Sequence, residues 1–282
     1  MARLTRTLAV PALLAAMLGT AGPAAAEAVP GPLDYTAVPS GGRQVLAEDP
    51  AGSGRIVELL GDLATAEHVA IVVPGSGQHL GNFRNDPEHP GTVPVSNGEN
   101  LLAEAQRQRP DARVAVIVWL GYLPPQSLNL AAVTSGRARE GATELARFVR
   151  LVRGRAPEGV HVTLVCHSYG SVVGGLAVRQ PGVADDVVAL ASPGMGVDTA
   201  DRLHARVWAT RAADDWIRFV PHIRLGPVGH GADPVAPGFG ARVFAATGAH
   251  GHEQYYRPGG ATLTNTARIV LGDHDDVPVR AA

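Results

Sequence analysis

The sequence predicts an α/β fold, a mostly parallel central sheet flanked by helices. Short apolar runs rich in Val, Ile and Ala alternate with segments of helical periodicity. Several of these runs are continuous rather than alternating, as strands buried on both faces require. Glycine and proline are abundant, 34 and 22 of 282 residues, which predicts many tight turns and irregular loops.

The elements follow in order. Arg55 to Leu60 reads as an early strand and His68 to Val73 as a stronger one, ending at Pro74. Ser96 to Arg109 reads as a helix, with Ser96 and Glu99 at capping-box spacing and Leu101, Leu102 and Ala105 on its apolar side. Arg113 to Leu120 is a continuous apolar run, hence a buried strand. A long helix spans Arg137 to Arg153, because Leu145, Phe148, Val149 and Val152 recur at i, i+3, i+4 and i+7. Val160 to Cys166 is the next strand, Ser168 to Arg179 the next helix, closed by Pro181-Gly182. Strands at Val187 to Ala191, Arg206 to Thr210 and Arg242 to Thr247 precede a final helix from Thr262 to Leu271.

The N-terminus has the pattern of an export leader. Arg3 and Arg6 precede a short apolar run from Leu8 to Leu18, and Ala24-Ala25-Ala26 offers a cleavage site before Glu27. The run is broken by Pro11 and is short for a membrane span, so no stable membrane insertion is expected. Residues 1–26 are thus expected to be a general-secretory signal peptide and 27–282 a single secreted domain. Of 24 basic residues, Arg3 and Arg6 would leave with the leader; 22 would remain against 26 acids, a net of −4. That balance excludes a nucleic-acid partner, which needs a basic face. The one cysteine, Cys166, excludes an internal disulfide.

Cys166-His167-Ser168-Tyr169-Gly170 stands between a predicted strand and a predicted helix, the setting of a nucleophile elbow. The tight turn needs small residues two places before and after the serine; Gly170 supplies one and Cys166 stands at the other. Ser168 is the candidate nucleophile, and the helix start behind it favours developing negative charge. Cys166, at a buried strand end, reads as packing rather than as a thiolate. An oxyanion donor is expected from the Tyr169 amide. A second is expected from Gly75-Ser76-Gly77-Gln78, at Ser76 with Gly77 and Gln78 as alternatives. Gly75, Gly77 and Tyr122 are candidate substrate-binding residues. The acid should follow a strand beyond the elbow, which points to Asp215, with Asp214 as alternative. The histidine should precede the last helix, which points to His252, with His250 and His274 as alternatives.

At these residues, from about His68 to Gly272, the chain resembles a bacterial α/β-hydrolase family of largely uncharacterised function. The resembling elements are Val73-Pro74-Gly75-Ser76-Gly77, Trp119-Leu120-Gly121-Tyr122, the His167-Ser168-Tyr169-Gly170 elbow, Ser192-Pro193-Gly194, Asp215-Trp216-Ile217 and His252-Glu253-Gln254-Tyr255. The sequence departs from the family pattern at Cys166, Trp216 and Glu253. The resemblance implies the α/β-hydrolase fold and favours Asp215 and His252. It also implies a secreted, esterase- or lipase-like serine hydrolase that cleaves small-molecule or lipid carboxylic esters through an acyl-enzyme, with no cofactor and no metal. An acyltransferase would use the same residues, and a non-catalytic binding protein would keep the scaffold alone. No H-E-x-x-H or comparable metal-ligand spacing points to a metal-dependent hydrolase. Oligomeric state is not written in the sequence.

Overall fold

A computed structural model describes residues 30–280 except 37, 41–42, 128–129 and 227; the leader expected at 1–26 lies outside the described residues. The sheet is built from β1 (Val38–Ser40), β2 (Arg43–Asp49), β3 (Arg55–Leu60), β4 (His68–Val73), β5 (Val114–Leu120), β6 (His161–His167), β7 (Asp186–Leu190), β8 (Arg206–Thr210) and, after a small hairpin of β9 (Arg224–Leu225) and β10 (Val228–Gly229), β11 (Arg242–Val243). Its spatial order is β1-β2-β3-β5-β4-β6-β7-β8-β11. The strands from β5 through β11 pair in parallel, while β3 runs antiparallel to both β2 and β5.

The helices are α1 (Pro94–Gln108), a short α2 (Leu130–Val133), α3 (Gly136–Arg155), α4 (Gly170–Ala177) and α5 (Ala261–Val270). The two-residue period of the strands assigns side chains to the two layers. Val69, Ile71 and Val73 of β4 enter the same apolar cluster as Leu145, Phe148 and Val149 of α3 and Val172 and Val173 of α4. Ala70 and Val72 join Leu101 and Ala105 of α1 and Leu263, Ala267 and Val270 of α5 on the opposite side. Every residue of β5 is buried, as its unbroken apolar run predicts.

The structure corrects two sequence expectations about the elements and adds one feature the sequence did not announce. The Ser96–Glu99 capping box does not form: α1 begins two residues earlier, at Pro94, with no side-chain cap. Proline at the first helical position lacks only an N–H that would be unpaired there, so it starts the helix and places Ser96 inside the first turn. The last strand is Arg242–Val243 rather than Arg242 to Thr247, because the backbone leaves β8 and turns toward α5. The antiparallel entry of β1 and β2 has no sequence signal: only Val45 and Ala47 of β2 are fully buried, and its pairing with β3 slips between them.

Sequence order reverses at the centre of the sheet. β4 lies between β5 and β6, and Val73 pairs with Cys166. The loops that leave the carboxyl ends of β4 and β6 therefore emerge side by side, at the kind of switch point where α/β sheets bind ligands.

Candidate active site

Ser168 follows β6 in the left-handed region, at φ 53°. A non-glycine residue there costs about 1–3 kcal/mol and persists only where its surroundings hold it. Here they do. The Ser168 amide donates to the Leu190 carbonyl at 2.9 Å. The Ser168 carbonyl accepts from the Ser171 amide at 2.9 Å and the Ser171 hydroxyl at 2.6 Å. Gly170 lets the helix start pass beneath β4: a Cβ there would lie 2.3 Å from the Val73 carbonyl oxygen and 2.6 Å from that of Pro74. Cys166 fits at the other small position because Gly174 faces it; a Cβ on Gly174 would meet its sulfur at 2.4 Å. Burial alone pushes the Cys166 thiol pKa well up, so the group stays a neutral packing atom.

The acid and the histidine converge on this turn. Ser168 Oγ lies 2.9 Å from His252 Nε2, and His252 Nδ1 lies 2.8 Å from Asp215 Oδ1. Asp215 is fully buried. Burial raises its pKa, but the opposing contributions of His252, the Tyr255 hydroxyl and the Ile217 amide prevail and leave the carboxyl below its usual range. It is therefore ionised at neutral pH and accepts from His252 Nδ1–H, which turns the Nε2 edge of the ring to Ser168 Oγ.

The alternatives lie elsewhere. His250 and Asp214 form a separate exposed pair, with nitrogen and oxygen 3.5 Å apart, and Asp214 also accepts from the Gly251 amide. His274 lies against Asp186 at the opposite end of the strands.

Of the expected oxyanion donors, neither the Ser76 nor the Tyr169 amide has an acceptor among the described residues. The loop that carries Ser76 is pressed onto the elbow: a Cβ on Gly75 would lie 2.8 Å from Ser168 Cβ, 2.9 Å from the His167 carbonyl oxygen and 3.2 Å from the Tyr169 nitrogen. Gly77 is a correction. Its amide is taken by the Pro125 carbonyl, and its φ of +80° makes it a turn residue that does not line the cleft. Tyr122 is a second correction. It is buried behind the loop, stacked on Trp119, and its hydroxyl donates to the Pro74 carbonyl at 2.8 Å. It supports the loop from behind and is not among the residues around the cleft. The Tyr169 side chain is buried too, with its hydroxyl donating to Thr134, so only its backbone faces the site.

Three residues complete the setting that sequence reasoning did not assign. Tyr255 donates its hydroxyl to Asp215 Oδ2 at 2.6 Å and accepts from the Ala212 amide at 2.8 Å. His167 donates from Nε2 to the His252 carbonyl at 2.7 Å. Burial, then the neighbouring His252 ring, pushes its pKa down to about 3, so it remains neutral. Trp216 lies over the His252 ring, centroids 4.6 Å apart. Both Trp216 and Tyr255 stand in the motifs quoted from the family pattern, which is the one sequence signal they gave.

The cleft beside Ser168 has a volume of about 60 Å³. Gly75, Ser76, Gln78, Asn97, His167 and Tyr256 are among the residues around it. Among the described residues, no helix is long and apolar enough to cross a membrane.

The uncharacterised protein Rv2079 of Mycobacterium tuberculosis is 30% identical over 265 residues, covering 82% of this chain and 39% of the relative. The uncharacterised protein Mb0988c of Mycobacterium bovis is 32% identical over 145 residues, 51% of this chain and 54% of that one. The chain thus spans well under two thirds of the length of these relatives. Among solved structures, esterase PE8 is 16% identical with a TM-score of 0.47, covering 76% of this chain and 96% of that one. A carboxylesterase from Mesorhizobium loti is 15% identical with a TM-score of 0.46, covering 80% and 98%. The family model described as alpha/beta hydrolase matches residues 49–225, more than half of the chain including β3 through β8 and the elbow, and the chain belongs to that family.

Proposed function

We propose that the chain is a serine hydrolase that cleaves carboxylic esters through an acyl-enzyme. One observation carries the proposal: Ser168 Oγ, His252 and buried Asp215 form a continuous relay at 2.9 and 2.8 Å, on a turn held at positive φ. Ser168 Oγ attacks the acyl carbon while its proton passes to His252 Nε2. Asp215 holds the imidazole and stabilises its charged form. The Tyr169 and Ser76 amides stabilise the oxyanion. The imidazolium then gives its proton to the departing alkoxide; water attacks the acyl-enzyme, passing its proton to His252 Nε2, which returns it to Ser168 Oγ as the carbon–oxygen bond breaks and the acid leaves. None of these steps calls for a group beyond this chain, the ester and water.

The cleft of about 60 Å³ has room for roughly four to six water molecules at about 10–15 Å³ each. That favours short acyl groups over long fatty chains. The test is turnover of p-nitrophenyl esters of graded length by the wild type and by Ser168→Ala. The wild type should prefer acetate to decanoate, and Ser168→Ala should be silent and fail to react with a fluorophosphonate. Full turnover by Ser168→Ala would end the proposal; a preference for decanoate would end the short-chain reading and leave the nucleophile intact.

A further inference from the structure

β6 carries chemistry at both ends. Ser168 follows its last residue, while His161 is its first, about 23 Å away at roughly 3.3 Å per strand residue. Around His161 the N-terminal ends of the parallel strands gather Asp186, which opens β7, and Arg206, which opens β8. The C-terminal turn adds His274. His161 Nε2 lies 3.0 Å from Asp186 Oδ2, and His274 Nε2 lies 3.1 Å from the same oxygen. The other carboxylate oxygen, Oδ1, accepts from the Trp208 indole N–H at 2.6 Å. Asp186 is fully buried, and both imidazoles are largely so.

We propose that His161 Nε2, Asp186 Oδ2 and His274 Nε2 bind one divalent transition-metal ion of the zinc class, which fastens the C-terminal turn to the end of the sheet. Two imidazole nitrogens and a carboxylate oxygen are the donor set that such ions take, with water completing the tetrahedron. These three ligand atoms all lie within 4.8 Å of one another. A tetrahedral ion with bonds of about 2.0–2.1 Å needs its ligands about 3.4 Å apart. Two of the three separations, 3.0 and 3.1 Å, are already close to that, and the third, within 4.8 Å, would need His274 to shift by about 1.4 Å at most.

Two further features favour a metal over a plain hydrogen-bonded cluster. His161 Nε2 is buried near the carboxylate yet has no aligned hydrogen-bond partner among the described residues, an unsatisfied position that a bound ion would fill. The Trp208 N–H fixes the carboxylate from behind, the outer-shell arrangement that orients metal-binding carboxylates. Arg206 competes for the place. Its Nη1 lies 3.2 Å from both Asp186 oxygens and 3.0 Å from His274 Nδ1. It also lies 3.1 Å from His274 Nε2, and its side chain is 38% exposed on a strand end, so an ion taking the place must displace it toward solvent. The sequence conceals this constellation because its members come from three elements, with His274 lying 88 residues beyond Asp186.

The full chain, stripped with a chelator and titrated calorimetrically with zinc chloride, should bind one ion saturably. Its Tm should rise by about 5–10 °C when zinc is near a hundred times Kd. His161→Gln and His274→Gln should each weaken binding about tenfold or more, with folding checked by circular dichroism. His204→Gln, an exposed histidine outside the cluster, should bind as the wild type does. Arg206→Ala should bind more tightly, since the competing guanidinium is gone. No saturable heat, an affinity unchanged in both cluster variants, or weaker binding by Arg206→Ala would overturn the proposal.

Discussion

Gly75→Ala tests the oxyanion loop at the point where it meets the elbow. The backbone of Gly75 is not in the left-handed region, so alanine is conformationally allowed and the effect is purely steric. The new Cβ would stand 2.8 Å from Ser168 Cβ, 2.9 Å from the His167 carbonyl oxygen and 3.2 Å from the Tyr169 nitrogen. Ordinary carbon contacts begin near 3.5 Å, and the elbow is pinned by its own hydrogen bonds, so the loop must retreat by about 0.6–1 Å. Overpacking of this kind costs about 1–3 kcal/mol of stability. The retreat also carries the Ser76 amide out of hydrogen-bond range of the oxyanion. Loss of one such donor costs about 2.7–4 kcal/mol, or 10²–10³ in kcat. Steady-state kinetics on p-nitrophenyl acetate should show that fall in kcat with KM nearly unchanged, while fluorophosphonate still labels Ser168 slowly. Gly77→Ala is the control: its Cβ would meet nothing within 4 Å, and the positive φ costs only about 1–2 kcal/mol of stability. A Gly75→Ala enzyme with wild-type kcat and Tm would refute the claim that this loop supplies a donor.

Tyr255→Phe removes one donor from buried, ionised Asp215 and one acceptor from the Ala212 amide. It should cost about 2–4 kcal/mol, lowering Tm by about 5–10 °C and kcat about tenfold; unchanged kinetics and melting would exclude a positioning role. Cys166→Ala should cost about 1–2 kcal/mol by emptying the space facing Gly174 and leave turnover intact; lost turnover in a folded variant would reopen the choice of nucleophile. The Glu104 carboxyl is held near 2 rather than 4.5, chiefly by Arg107 and, against burial, by Gln108 and Thr264. Its folded value lies below its unfolded one, so its stabilisation is complete above pH about 4.5 and is lost as pH falls toward 2. Urea melts at roughly pH 6 and pH 3 should show Glu104→Gln losing about 2 kcal/mol less than the wild type on acidification; parallel losses would refute the assignment.

Much of this architecture was legible because local and global demands coincide. The unbroken apolar runs of β4 and β5 are what burial between two helix layers requires. The elbow was legible for a similar reason: a strand, a serine and a glycine two places later describe a sharp turn that little else needs. The entry hairpin was not, since a bulge and mostly exposed side chains erase the alternation from β2. The capping box misled because Ser96 and Glu99 have the right spacing but Pro94 starts the helix first. Tyr122 looked like a pocket residue by its place after a strand, and only the packing of Trp119 against it shows why it turns inward.

The supports of the relay mark where sequence reading stops. His167 reaches the His252 carbonyl across 85 residues, and Tyr255 reaches Asp215 across 40. Neither pair has a spacing rule, because loop geometry and not helix or strand period brings them together. Both bonds act on position. The first fixes the backbone that carries the imidazole, and the second fixes the carboxylate oxygen that the imidazole does not use. Serine, histidine and aspartate are recognisable by chemistry and chain order alone. A relay at 2.9 and 2.8 Å also requires that the histidine loop and the acid loop be held against the same strand end, and here a neutral histidine and a buried tyrosine, whose role no spacing in the sequence reveals, do that holding.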